Sequence, residues 1–448
     1  MGGRFIRVEE AVFDIVVVHT EVNCGIIHIS AIFEMLTCCV NLAIMSMKTG
    51  KKRIYLDYAS ATPISEKAYE ALVKMSNPKS DFFGNHSSTH SEGVLTRDLL
   101  LEIRTNIARN LEVHKDEIIF TSGATEGNNL IISGVYKGTL GKIKKPHFIT
   151  SIVDHSSVLG PIENLKKRGA SVTYLKPNRS KILDLSELEK SLNESTVLIS
   201  LSYVNSEIGN IVPVRDVRRL INKFKNKLGR GLTDYPYLHV DASQAVNSLA
   251  VNPHNLGADF LVLDGAKMYG PKGVGVIVSL RERKIFPIIF GGGQEKGIRP
   301  GTVNLASAHS FSVAFNECLL IREKENKRLE TLQKYFENEL KKNFPKCIIN
   351  GESEKRVPNF TNVCLPKLDA EYAIAQLDAL SVAASSASAC QSAGGEGFSY
   401  VIKELVNGKD CAGSSIRFSM GRDTKSRDLK IVVESLKKVA NLQNVSST

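Results

Sequence analysis

The sequence predicts an α/β protein: a mainly parallel sheet covered by helices on both faces, then a smaller C-terminal α/β region. Three observations predict it. From Arg53 onward, short apolar runs of strand character alternate with amphipathic helical stretches. Beyond Ser307 a long charged helical stretch, Glu317–Asn343, leads into a second α/β region that runs to about Leu442. Apolar residues make up 42% and charged residues 23% of the 448, which fits a globular protein large enough for a substantial core.

The first ~50 residues differ in character from the rest. Gly25 to Met45 is mostly apolar and close to the ~20 residues that span a bilayer. Glu34 lies in its middle, where a carboxylate costs roughly 2.5–3.5 kcal/mol. The acidic flank Glu9, Glu10, Asp14 and Glu21 suits neither a signal peptide nor a transit peptide. Residues before Met45 or Met47 are therefore expected to be an upstream extension that the folded protein does not need. No membrane association is expected.

The strand-like runs are Glu117–Thr121, His147–Ser151, Val197–Ser202, Tyr237–Val240, Leu261–Leu263 and Val274–Val278. Helical patterns at Leu99–Leu111 and Leu185–Leu192 lie among them. The expected organisation is an extension at 1–52, a large domain at 53–310, a small domain at 311–442 and a frayed tail at 443–448. The first residues of the large domain are expected to pack on the small one.

A net charge of +11 comes without an arginine-rich or aromatic-interleaved stretch, so nucleic acid is not an expected partner. The eight cysteines form no Cys-x-x-Cys pair and no zinc spacing with histidine, so no metal site is expected. They read as reduced thiols in a cytoplasmic protein.

In an open parallel sheet, ligands bind beyond the C-terminal ends of the strands. Lys267 stands just past one such strand, in Asp264-Gly265-Ala266-Lys267. A loop lysine is usually exposed. Held in a partly dry site, its amine can serve Schiff-base chemistry. Thr121-Ser122-Gly123-Ala124-Thr125-Glu126-Gly127 opens a helix after a strand, where small residues let backbone N–H groups reach a phosphate. An ordinary helix cap would look similar. His155 follows a third strand and can stack on a flat ring. Asp241 ends a fourth and can pair with a protonated ring nitrogen, while Gln244 can bond a ring substituent. Together these match the needs of pyridoxal 5'-phosphate (PLP), whose ring takes up the electrons left at Cα.

At this point the chain resembles the class V aminotransferase-like PLP enzymes, and within them the group I cysteine desulfurases. The resemblance runs from about Arg53 to Leu442. It is carried by Ile54-Tyr55-Leu56-Asp57-Tyr58-Ala59-Ser60-Ala61-Thr62-Pro63, by Phe83-Gly84-Asn85-His86-Ser87-Ser88-Thr89-His90 and by Gly291–Thr302. It implies a fold type I large domain with a mainly parallel seven-stranded sheet. It implies Lys267, Cys390 and His155 as catalytic residues. Ala124, Thr125, His155, Asp241, Gln244, Lys267, Ser206 and Thr302 would hold the cofactor, Thr302 by reaching the phosphate of the partner subunit in a homodimer. Arg417, in Ser414-Ser415-Ile416-Arg417-Phe418-Ser419, would grip the substrate carboxylate beside Asn205. Cys390, in Ser385-Ser386-Ala387-Ser388-Ala389-Cys390, would take sulfur from L-cysteine as a persulfide and pass it to an acceptor protein for iron–sulfur cluster or thio-tRNA synthesis.

The chain departs from the resemblance at three places. Ser206 stands where relatives carry a second asparagine. Asp264 and Ala266 stand where relatives carry a phosphate-binding serine and histidine. An ionised Asp264 facing a phosphate is repulsive, so its carboxylate is expected to turn away, with cofactor affinity somewhat reduced. The chain also stops soon after Leu442, so docking of a scaffold protein through a C-terminal segment is not expected. The rival readings are a selenocysteine lyase or other class V lyase or transaminase, and a degenerate scaffold of the same fold.

Overall fold

A computed structural model describes residues 53–177, 181–386, 399–406 and 409–446. The hydrophobic stretch 25–45 and Cys390 lie outside the described residues.

The chain enters through a short strand, β1 (Ile54–Tyr55), and two helices, α1 (Glu66–Ser76) and α2 (Ser91–Leu111). Then β2 (Ile118–Thr121), α3 (Ala124–Thr139), β3 (His147–Ser151), α4 (Ser156–Lys167) and β4 (Ser171–Leu175) alternate. The alternation continues through α5 (Leu185–Ser191), β5 (Thr196–Ser202), α6 (Val214–Lys227) and β6 (Tyr237–Asp241). After α7 (Pro253–Leu256) come β7 (Phe260–Asp264) and β8 (Gly275–Ser279). These strands form one seven-stranded sheet in the order β2-β8-β7-β6-β5-β3-β4. Only β8 runs antiparallel to its neighbours.

The strands are apolar along their length because helices cover both faces. In β7, Leu261 and Leu263 join one core while Phe260 and Val262 join the core on the opposite face. In β8, Val276 and Val278 divide from Ile277 in the same way, as the two-residue period requires. Helix α3 lies close on this sheet. A Cβ at Gly127 would stand 3.1 Å from Val262 Cγ1 and 3.3 Å from Ile277 Cγ1, so only glycine allows the approach without displacement.

The sequence missed β4, whose residues are only partly buried and include Ser171, Thr173 and Tyr174. It shortened α8, which runs as one helix from Leu305 to Asn343, about 58 Å at 1.5 Å per residue. Phe311, Phe315 and Cys318 from its first half belong to the core of the large sheet. Leu329, Leu332, Phe336 and Leu340 from its second half belong to a separate core. That second core is built on a three-stranded sheet of β9 (Ile348–Ile349), β10 (Phe360–Cys364) and β12 (Ser415–Ser419). Helices α9 (Ala370–Ala379) and α12 (Ser426–Ser446) pack on it. Between them, β11 (Val382–Ala383) pairs in parallel with β1, and Leu56 enters the second core. Two short helices, α10 (Tyr400–Val406) and α11 (Lys409–Ala412), precede β12.

One expectation about the cysteines fails. Cys364 and Cys411 are joined as a disulfide, with their Cα atoms 5.4 Å apart. The pairing of Cys364 with Ser415 across β10 and β12 brings the preceding turn, and Cys411 with it, over β10. Spacing along the sequence carries no sign of this. Cys318 and Cys347 are free thiols.

Candidate active site

A cavity of about 180 Å³ opens at the C-terminal ends of the parallel strands. Ala124, Thr125, His155, Ser206, Asp241, Gln244, Lys267 and Arg417 all line it, together with Asp264, Glu207 and Tyr400. Parts separated by almost 300 residues in sequence thus meet at the edge of one sheet, where strand ends converge.

Lys267 ends the 3-10 turn Gly265–Lys267 that follows β7. Its Nζ donates to the carbonyl oxygens of Ala59 at 3.0 Å and Ser60 at 2.5 Å. Its own carbonyl accepts from Asn247 Nδ2 at 2.6 Å, which fixes the turn behind it.

Asp241 ends β6 and is 8% exposed. Its Oδ2 accepts from Asn128 Nδ2 at 2.8 Å, and its Oδ1 from the Ser243 hydroxyl at 2.6 Å. His155 caps α4. Its Nδ1 accepts from the Ser157 backbone N–H at 3.2 Å, which leaves Nε2 to carry the proton of the neutral ring. Burial lowers its pKa; the charge of Asp241 opposes that shift. A neutral, desolvated imidazole suits a stacking surface.

Arg417 stands in the middle of β12 and is 6% exposed. Its Nη2 donates to Asp57 Oδ1 at 2.8 Å and to Ser60 Oγ at 2.7 Å, and its Nη1 to the Ser206 carbonyl at 2.9 Å. Its Nε is buried with no partner among the described residues. Arg417 lines the cavity, so its guanidinium can serve an anionic group bound there.

Glu207 is 4% exposed, and its Oε2 accepts from Ser399 Oγ at 2.5 Å. Burial pushes its pKa up to about 7, partly offset by the Ser399 hydroxyl and by Arg417. The Tyr400 hydroxyl donates to the Asp154 carbonyl at 2.5 Å.

Two expected residues lie apart from this cluster. Asn205 does not line the cavity: its Nδ2 donates to the Val153 carbonyl at 3.0 Å, and its Oδ1 accepts from the N–H groups of Glu207 and Ile208 at 2.9 and 3.1 Å. It shapes the turn that presents Ser206 and Glu207. Thr302 is exposed, just after Gly301, and does not line the cavity. Cys390 lies outside the described residues.

Asp264 does not turn away from the helix that opens after β2. Its Oδ2 accepts from the N–H of Ala124, the first residue of α3, at 2.9 Å. Its Oδ1 accepts from the N–H of Ala266 at 2.9 Å. The carboxylate is drawn there because unpaired N–H groups at a helix start attract an anion.

Sequence reasoning missed Asn128, Glu207 and Tyr400. Asn128 could have been found: it stands four residues after Ala124 and so on the same helix face. An amine, a buried carboxylate, a capped imidazole and an arginine with a spare N–H form a donor set that fits an aromatic aldehyde cofactor and an amino-acid substrate. At the start of α3 the carboxylate of Asp264 takes the Ala124 N–H that a phosphate could use.

Among the described residues no group of His, Cys, Asp and Glu is arranged to hold a metal ion. No described helix is long and apolar enough to cross a membrane.

The sequence profile of the aminotransferase class-V family matches residues 54–432. The chain is 37% identical to the cysteine desulfurase IscS of Dictyoglomus turgidum, over 87% of this chain and 95% of that one. In structure it is similar to a NifS-like protein, with a TM-score of 0.78 and 27% identity over 88% of this chain and all (100%) of that one. It is also similar to SspA solved in complex with cysteine, with a TM-score of 0.70 and 27% identity over 82% of this chain and 99% of that one.

Proposed function

For a chain that belongs to the aminotransferase class-V family, and within it to the cysteine desulfurases, we propose the PLP-dependent removal of sulfur from L-cysteine to give L-alanine and an enzyme-bound persulfide. The observation that carries this reading is the meeting of Lys267, Asp241, His155 and Arg417 in one cavity.

PLP, when bound, supplies a carbonyl for the substrate amine and a ring that takes up electrons released at Cα. Lys267 anchors the cofactor and then moves the Cα proton. Two carbonyl oxygens hold its Nζ, so the proton-carrying amine is oriented before it acts. Asp241 stabilises a protonated ring nitrogen, and Asn128 and Ser243 fix the carboxylate for that task. His155 covers the ring and excludes water from one face. Arg417 receives the substrate carboxylate through its N–H fork.

Cys390 attacks the substrate sulfur as a thiolate. A sulfur–sulfur bond forms, the carbon–sulfur bond breaks, and the carbon fragment takes a proton and leaves as alanine. The persulfide then passes its outer sulfur to an acceptor protein serving iron–sulfur cluster or thio-tRNA synthesis.

The enzyme is read as a homodimer. Ile289 and Phe290 are 51% and 75% exposed beside Gly291–Thr302, and apolar side chains of that size favour a covering partner. Thr302 on that surface then reaches the phosphate in the partner subunit. Light scattering on the purified chain should give a dimer mass.

Sulfide release from L-cysteine with a thiol reductant tests the reaction. The wild-type chain should release sulfide and Cys390→Ala should not. Full activity in Cys390→Ala would rule out the persulfide route.

A further inference from the structure

The start of α3 is where the proposed site would seat the phosphate of its cofactor, and a carboxylate already uses that place. Asp264 Oδ2 takes the N–H of Ala124 and its Oδ1 the N–H of Ala266, each at 2.9 Å. An ionised carboxylate only accepts hydrogen bonds. It offers a phosphate no donor and repels it at contact distance.

Two charged neighbours have partners of their own. A second carboxylate at the helix start, Glu126, accepts from the Ser122 N–H at 2.6 Å, but Arg299 pairs with it at 2.8 Å. The amine of Lys267 is directed to the carbonyls of Ala59 and Ser60. The negative charge of Asp264 extends to His155, whose protonated form it favours against the larger effect of burial. The close fit also leaves no slack: a Cβ at Gly123, on the last residue before α3, would stand 3.2 Å from Asp264 Oδ2.

We propose that Asp264 is a specificity-determining residue that competes with the cofactor phosphate for the N-terminus of α3, so that the site discriminates only weakly between PLP and unphosphorylated pyridoxal. This rests on the reading of the cavity as a PLP site. Bound phosphate takes the Ala124 N–H and displaces Oδ2, while Oδ1 keeps the Ala266 N–H and the turn that presents Lys267. The phosphate thus adds less to affinity than a charged group with free helix-terminal donors normally does.

Calorimetric titration of the cofactor-stripped full-length chain with PLP and with pyridoxal tests this. In the wild-type chain PLP should bind less than about tenfold more tightly than pyridoxal. Asp264→Ser keeps a side-chain oxygen that can cap the turn, and Asp264→Asn keeps the shape without the charge. In both variants the Kd for PLP should fall about tenfold, the size of one charge-assisted hydrogen bond regained. The Kd for pyridoxal should stay within about twofold.

Unchanged or weaker PLP binding in both folded variants would overturn the proposal, as would equal tightening toward both ligands. A wild-type preference for PLP above about a thousandfold would overturn it without any variant. If the wild-type chain bound neither ligand, the reading of the cavity as a PLP site would fail first, and the role of Asp264 with it.

Discussion

Asn128 Nδ2 lies 2.8 Å from Asp241 Oδ2 and also 2.8 Å from Ser157 Oγ, so one buried amide ties the end of β6 to the first turn of α4. Ser157 in turn meets His155 Nδ1 at 2.8 Å. Asp241 and His155, the residues that would hold the cofactor ring, are therefore linked through one side chain. Asn128 acts through Asp241 and is a positioning residue. Asn128→Ala should lower kcat about tenfold or more, the cost of a lost hydrogen bond to a charged acceptor, with little change in KM. It should also shift the pH dependence of the cofactor's visible absorption. A purely structural role would lower thermal stability and leave that pH profile unmoved.

Arg417 shares its guanidinium between Asp57 and Ser60 through Nη2 and Ser206 through Nη1, with Nε spare. Lysine keeps the charge but loses the planar fork. Arg417→Lys should raise KM for L-cysteine and reduce kcat/KM by about a hundredfold, while the Kd for PLP stays unchanged. Steady-state kinetics and cofactor titration on the same preparation check both halves.

Glu207 sets a pH dependence of stability. Burial raises its pKa from the ordinary 4.5 to about 7 in the folded protein. The folded state then holds a proton that the unfolded chain gives up, so this group's contribution to stability is full below about pH 4.5 and falls as pH rises toward 7. Glu207→Gln keeps an oxygen for Ser399 and cannot ionise. Its denaturation midpoint should therefore decline less than the wild type's across that window. A parallel decline in both proteins would show that Glu207 is not the titrating group.

Phe336 is fully buried in the second core, and its ring meets that of Phe418 edge-on at 5.3 Å between centroids. Phe418 follows Arg417 on β12. Phe336→Ala should cost about 3–5 kcal/mol by the loss of transfer energy and the cavity left behind. Chemical denaturation measures it. Because β12 carries Arg417, KM for L-cysteine should rise in the same variant.

The large sheet was legible in the sequence because its strands are buried on both faces. Runs such as Phe260-Leu261-Val262-Leu263 leave no polar position to confuse the reading. Strand β4 was not, since Ser171, Thr173 and Tyr174 are only half covered and look like loop. The placement of Lys267, Asp241, His155 and Arg417 at strand ends or on strands could be anticipated from their flanks. Their hydrogen-bond partners could not. The bonds Glu207–Ser399 and Arg417–Asp57 join residues 192 and 360 positions apart, and the pairing of Cys364 with Cys411 depends on the register of β10 with β12. The bond of Asp264 to the Ala124 N–H was equally hidden, since it joins residues 140 positions apart.

Alanine formation is the most direct measurement of the central claim. Purified chain loaded with PLP, given L-cysteine and a thiol reductant, should form alanine and sulfide in equal amounts, and Lys267→Ala should form neither. Pyruvate in place of alanine, or alanine formed undiminished by Lys267→Ala, would contradict the account.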